Sequence, residues 1–443
     1  MAIALRGRNV IQYAHMENYL ARIVDSMIVE RLSYSGAVLV EGPKWCGKTT
    51  TCEQHAKSIA YISDPSMREY YLDMARMQMQ RLIEGAQPRL FDEWQEIPEL
   101  WDAIRFAVDH SESDAHFLLT GSAVVPEKNR QKIRHSGTGR FSRIRMRPMS
   151  LWESGESSGV VGISDLFDGK TPQYEAARKI ELEEMAFIVC RGGWPNAVGR
   201  GERAALRVSR DYCESIAESD MSRADDVVRD PMRVKRLLRS YARLQGTQTS
   251  LSAIRKDMMA NDIDDISEDT IYSYIDALSR IFVVENVHAW TPSIRAKAAI
   301  RSSDTRYFTD PSIATAALGA RPGDLMNDLR SFGMFFETLC MRDLRTYMDA
   351  IDGAVRHYRD QTGLECDAVL ENFKGDYALV EIKLGGERLI EEGASSLNRY
   401  RRLLGEKKMR KPVFRMVLTA VGDYAYVRKE DGIIVCPICC LKP

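Results

Sequence analysis

The chain has 443 residues, 44% of them hydrophobic, and its 62 Lys and Arg stand against 63 Asp and Glu for a formal charge of −1. That balance excludes a globally basic protein held on nucleic acid by bulk charge, and the apolar content excludes an acidic disordered chain. At roughly 150 residues per domain the length predicts about three domains, divided as residues 1–205, 206–320 and 321–443. No run of eighteen apolar residues occurs, so no membrane span is expected. The segment Met1–Val10 carries Arg6 and Arg8 without the hydrophobic stretch of a secretory signal. Nine cysteines lie scattered without the spacing of a disulfide framework, which points to a reducing cytoplasm. The one dense cluster, Cys436, Cys439 and Cys440, has no neighbouring Cys or His pair and reads as small hydrophobes closing a terminal strand.

In chain order, the first motif follows an apolar run, Ala37–Val40, that predicts a buried strand. It leads into Gly42-Pro43-Lys44-Trp45-Cys46-Gly47-Lys48-Thr49-Thr50, a phosphate-binding loop in its required context of strand, glycine-rich turn and helix start. Glycines let backbone N–H groups curl around a phosphate, and the helix start adds its dipole. Lys48 would reach the β and γ phosphates of ATP, and the Thr49 hydroxyl would ligate Mg²⁺. Arg89-Leu-Phe-Asp92-Glu93 then predicts a short strand ending in paired acids. Asp92 would hold the Mg²⁺ and Glu93 would act as general base toward the attacking water. A third strand, His116–Ala123, ends in Thr120 and Ser122, either of which can hold that water. In a P-loop ATPase this third strand is expected between the loop-bearing and acid-bearing strands.

Between Lys128 and Arg147 eight cations occur with no acid among them, and Gly137-Thr-Gly-Arg140 sits mid-run. Arg140 is a candidate to stabilise charge in phosphoryl transfer, in cis or across a subunit boundary. The alternatives for the run are a nucleic-acid phosphate surface or a solvated basic face.

The succession Gly42–Thr49, Leu90-Phe-Asp-Glu, Leu118-Leu-Thr-Gly-Ser, Gly139-Arg140 and Arg147-Pro-Met-Ser-Leu-Trp-Glu153 resembles the prokaryotic AAA-type ATPases that carry a C-terminal domain of unknown function. These are distant relatives of archaeal origin-binding ATPases. The similarity continues in Gly192-Gly-Trp-Pro195 and in Tyr212–Asp220. It implies an α/β chain whose AAA core binds and hydrolyses ATP with Mg²⁺.

Farther on, Val234, Leu237, Leu238, Tyr241 and Leu244 share one helical face, and Ser250–Met259 and Ser267–Leu278 predict two further helices. Ile281–Val287 and Arg306–Thr309 then read as a two-stranded ribbon, so the outline is that of a winged helix. The candidate recognition helix, Asp269–Arg280, offers two aspartates and one arginine, a poor surface for a major groove. The wing is better supplied, with Arg295, Lys297, Arg301 and Arg306.

In the last third, Glu337 falls on a predicted helix, Asp367 on a strand opening with acids, and Glu381 and Lys383 two apart on the next strand. This arrangement resembles the core of restriction-endonuclease-like nucleases. Asp367 and Glu381, completed by Glu337, would hold a divalent metal, and Lys383 would steer the water. Cys366 stands where those nucleases carry Pro. A second basic run, Arg399–Arg415, follows.

The sequence thus predicts an α/β, cytoplasmic ATPase with a P-loop AAA-type core, a winged-helix-like middle and a nuclease-like C-terminal domain. Its expected partners are ATP or ADP, with DNA and a second copy of the chain as candidates and no membrane. The alternatives are an ATP-gated, metal-dependent DNA nuclease and a nucleotide switch with little turnover.

Overall fold

The computed structural model of the chain describes residues 19–110, 116–123, 125, 129, 131–224, 227–260, 266–291, 304–359, 364–406 and 410–443. Two compact units emerge. One comprises residues 1–40, 48–121 and 132–144; the other comprises 41–47, 122–131 and 145–443. The division passes through the phosphate-loop motif, between Gly47 and Lys48.

The smaller unit is built on strands β1 (Ala37–Glu41), β2 (Ser58–Tyr61), β3 (Arg89–Asp92), β4 (Phe117–Gly121) and β5 (Phe141–Arg145), in the order β2-β3-β4-β1-β5. Strands β2, β3 and β4 run parallel. Val38, Leu39, Val40, Leu90, Phe91, Leu118 and Leu119 are all buried, because a parallel sheet is covered on both faces and its strands read as continuous apolar runs. The helix Leu100–His110 turns Leu100, Trp101 and Ile104 inward, and Trp101 stacks on Phe141 at 3.7 Å between ring centroids. Strand β4 lies between β1 and β3, as the motif order leads one to expect.

The middle of the larger unit is helical. Pro231–Leu244, Leu251–Met259 and Glu268–Arg280 are opened by Asp230, Ser250 and Ser267, whose side chains each accept a first-turn N–H. A short antiparallel ribbon follows, through the bridges Val284 to Phe308 and Val287 to Thr305. Of the expected wing cations, Arg295, Lys297 and Arg301 lie outside the described residues. Arg306 is turned inward and donates to the Thr249 carbonyl at 3.0 Å.

Strands β6 (Val161–Gly162) and β14 (Leu441–Lys442) form a small parallel pair. A seven-stranded mixed sheet contains β7 (Glu175–Ala176), β8 (Ala354–Arg359), β9 (Glu365–Glu371), β10 (Tyr377–Lys383), β11 (Arg415–Thr419), β12 (Tyr424–Val427) and β13 (Ile434–Pro437), in the order β7-β12-β13-β11-β10-β9-β8. The helix Glu387–Glu406 makes the crossover between the parallel neighbours β10 and β11. Ala394, Leu397 and Tyr400 on that helix pack with Val369, Leu379 and Val417 of the sheet. Cys436 lies within β13, and Cys439 and Cys440 in the turn before β14, all three buried.

A buried ionic triad ties this unit together. Arg342, on the helix Leu329–Asp349, bonds to Asp310 at 2.8 Å and to Asp343 at 2.8 Å, and all three side chains are almost wholly buried. The carboxylates also accept the backbone N–H groups of Gly193 and Leu151. Breaking a buried ion pair from one side leaves charge without a partner, so Arg342→Met is expected to cost about 3–5 kcal/mol. Chemical denaturation of the full chain measures that loss. Among the described residues no helix is long and apolar enough to cross a membrane.

Candidate functional site

At the carboxyl edge of the parallel sheet the smaller unit gathers Thr49, Asp92, Glu93 and Thr120. The Thr49 hydroxyl donates to Asp92 Oδ1 at 2.6 Å, and the Thr120 hydroxyl donates to the same oxygen at 2.6 Å. Asp92 is buried at the end of β3 and Thr120 near the end of the adjacent β4. Parallel strands in register bring their carboxyl ends to one edge, which is how residues so far apart in sequence meet. Carboxylate and hydroxyl oxygens side by side form a hard donor set that suits Mg²⁺.

Glu93 leaves the strand with φ 55° and ψ 48°, a left-handed conformation that a non-glycine residue rarely takes. Its N–H donates to Thr120 Oγ1 at 3.2 Å, and its carboxylate receives the Gln95 side-chain amide. The turn is thus held from two sides, by Thr120 and by Gln95. Neither Gln95 nor the double use of Asp92 Oδ1 is visible in sequence, since both depend on side-chain direction.

Lys48 is buried at the start of the helix Lys48–Glu53. Behind that helix, Tyr19 donates to Asp25 and to Thr51, each at 3.0 Å, and His55 meets Asp25 at 2.8 Å. Burial and the Asp25 carboxylate push the Tyr19 hydroxyl well above its ordinary range, so it stays a donor.

The loop residues 42–47 belong to the larger unit. A Cβ on Gly42 would lie 2.0 Å from the Met146 carbonyl oxygen, so only glycine fits there. Trp45 and Gly47 adopt φ of 64° and 102°, the left-handed turns that curl the loop. Lys44 pairs with the buried Asp220 at 2.6 Å, and the Trp45 ring packs 5.4 Å from that of Tyr212. Asp220 lies in a π-helical turn, Ile216–Asp220. That residue sits inside the motif Tyr212–Asp220, but its partnership with Lys44 spans too much sequence to be read from it. Ser122 is buried in this larger unit, whereas Thr120 is the hydroxyl that reaches Asp92.

Arg140 is not brought to this group. Its carbonyl accepts the N–H of Ala37, at the amino end of β1. The phosphate loop leaves the other end, roughly 13 Å of strand away at 3.3 Å per residue. The guanidinium instead pairs with Asp109 at 2.6 Å and holds that carboxyl below its usual range. The rest of the basic run is also largely engaged. Lys132 pairs with Glu99, Arg145 with Glu41, and Arg147 is buried against Glu285 and Asp349. Lys128 and Arg130 lie outside the described residues.

A second polar cluster lies on the seven-stranded sheet. Lys383 Nζ is 2.9 Å from Glu381 Oε2 and 3.5 Å from Asp367 Oδ2. The Ile382 N–H donates to Asp367 at 2.7 Å, and Ser396 of the crossover helix donates to Glu381 at 3.0 Å. Glu337 receives the Tyr307 hydroxyl. Burial first, and then the Asp367 carboxylate, push both Glu337 and Glu381 up to about 8. Of the sequence-derived quartet, Asp367, Glu381 and Lys383 meet directly, and Tyr307 and Ser396 are partners that sequence did not reveal. Among the described residues, however, no three His, Cys, Asp or Glu side chains are gathered closely enough to hold a metal ion. Of the second basic run, Arg415 is buried and bonds Asn398 and the Asp431 carbonyl, while Lys407 and Lys408 lie outside the described residues.

Residues 34–154 match the family model described as an AAA domain. With the P-loop and the β2-β3-β4-β1-β5 sheet, that match makes this segment similar to an AAA-type P-loop core. Two domains of unknown function match the remainder, DUF8612 over residues 182–324 and DUF4143 over 332–441. Solved structures are similar at low identity, among them the following three. A Walker-type ATPase of Pyrococcus abyssi is 14% identical, covering 70% of this chain and 99% of its own, with a TM-score of 0.41. The Aeropyrum pernix ORC1 protein in complex with DNA is 12% identical, covering 67% and 92%, with a TM-score of 0.25. Cdc6p from Pyrobaculum aerophilum is 10% identical, covering 73% and 97%, with a TM-score of 0.23. No curated protein matches the chain.

Proposed function

We propose that the AAA core binds and hydrolyses Mg-ATP and couples that turnover to DNA or to a protein partner. The observation that carries this is the convergence of the Thr49 and Thr120 hydroxyls on one oxygen of Asp92. Lys48 would neutralise the β and γ phosphates, and the loop N–H groups would cradle them. Thr49 and Asp92 would hold Mg²⁺, which would supply positive charge to offset the negative charge developing during transfer. Glu93 would accept the proton of the attacking water at its carboxylate, and Thr120 would keep the Glu93 backbone turned toward that water. Arg140, at the far end of β1, would serve only a neighbouring copy of the chain.

Phosphate release with and without double-stranded DNA tests the coupling. A rise in rate with DNA supports a DNA-processing ATPase; an unchanged rate moves the coupling to a protein partner.

A second proposal concerns the C-terminal sheet. Lys383 bridging Asp367 and Glu381 favours phosphodiester cleavage there, although the carboxylates are not gathered as a three-donor metal site. Incubation of plasmid DNA with Mn²⁺ or Mg²⁺ is expected to nick it, and Asp367→Ala to stop the nicking. Cleavage that survives Asp367→Ala removes that role from the sheet.

A further inference from the structure

The larger unit contains a cavity of about 400 Å³ that none of the candidate site residues above lines. Its walls are the helices Glu202–Ser215 and Pro231–Leu244 and the end of the helix Pro311–Leu318. Four cations line it, Arg210, Lys235, Arg239 and Arg321, against one acid, Glu214. Among the described residues Arg210, Arg239 and Arg321 form no ion pair, and Lys235 meets only Glu218, at 3.4 Å. Arg239 spends one donor on the Ala317 carbonyl, at 3.2 Å, and keeps its other donors.

Gathering four like charges around a concave space is unfavourable unless something of opposite sign enters it. The floor has a different character, because Cys213 and Leu238 are buried apolar side chains there. The volume falls within the range that encloses small ligands, and the three helical walls make a pocket instead of a stripe along which a nucleic-acid backbone would run. Arginine forks match phosphate oxygens two at a time.

From this geometry we infer that the cavity is a binding site for a small phosphorylated molecule, with phosphate at the arginines and its apolar part on Leu238. The site is separate from the P-loop and does not depend on the ATPase assignment. It gives the DUF8612 region a ligand of its own.

The test is calorimetric titration of the full chain carrying Lys48→Ala, with inorganic pyrophosphate as probe at low salt. Saturable binding is expected, weakened about tenfold or more by the pair Arg210→Gln and Arg239→Gln. The single exposed change Arg321→Gln gives the same direction should the pair disturb the helices, and unfolding midpoints are compared for each variant. Pyrophosphate affinity that is unchanged in Arg321→Gln and in the folded pair, or absence of saturable binding in the parent chain, overturns the inference.

Discussion

Replacing Glu93 by Gln is expected to leave ATP bound and stop its turnover, with the hydrolysis rate falling by about 10²–10⁴. The amide keeps the size and shape of the side chain but has no basic oxygen pair to take a proton. Glu93 is held in a left-handed turn by its N–H bond to Thr120 and by Gln95. Those contacts use the backbone and one carboxylate oxygen, so the change should not unfold the strand end. Single-turnover phosphate release measures the chemical step, and labelled-nucleotide binding measures the rest. A variant that hydrolyses at the parent rate takes the general-base role away from Glu93.

Replacing Lys48 by Ala is the larger test of binding. Its ammonium is buried at the helix start, and a charge-assisted contact to phosphate lost there costs about 3 kcal/mol. That corresponds to affinity weaker by roughly a hundredfold, at 1.4 kcal/mol for each factor of ten. Equilibrium binding of a fluorescent ATP analogue reads this directly. The same variant should retain its fold, because the helix it starts is anchored independently through Thr51, Tyr19, Asp25 and His55.

These two residues belong to the part of the molecule most legible in sequence. A phosphate loop needs glycines at fixed spacing for steric reasons, and Gly42 meets the Met146 backbone in just that way. Apolar strands ending in Asp92 and Thr120 could be recognised because a parallel sheet is buried on both faces. Arg140 was a different matter. Its flanking glycines mark a loop, but which end of the sheet that loop occupies is set by strand order and cannot be read locally.

The basic runs show the same limit from the side of charge. The segment 128–147 carries no acid, yet Arg147 is neutralised by Glu285 and Asp349, 138 and 202 residues away. Burial opposes Glu285's charge, but Arg147 and Arg345 outweigh it and hold that carboxyl far below its ordinary range. Local charge counting therefore overstated a phosphate-binding surface there. Conversely, the Arg210, Lys235, Arg239 and Arg321 pocket is assembled from four separated positions in otherwise ordinary helices. No sequence window contains it. The edge strand β7, two residues whose pairing partner Tyr424 lies 248 positions beyond Ala176, is hidden for the same reason.

The most direct measurement of the central claim is phosphate release from ATP by the purified full chain in Mg²⁺, repeated with excess chelator and with Lys48→Ala. Release that requires Mg²⁺ and vanishes with Lys48→Ala is the predicted result. A chain that releases no phosphate above buffer, or one whose release is indifferent to both changes, contradicts it.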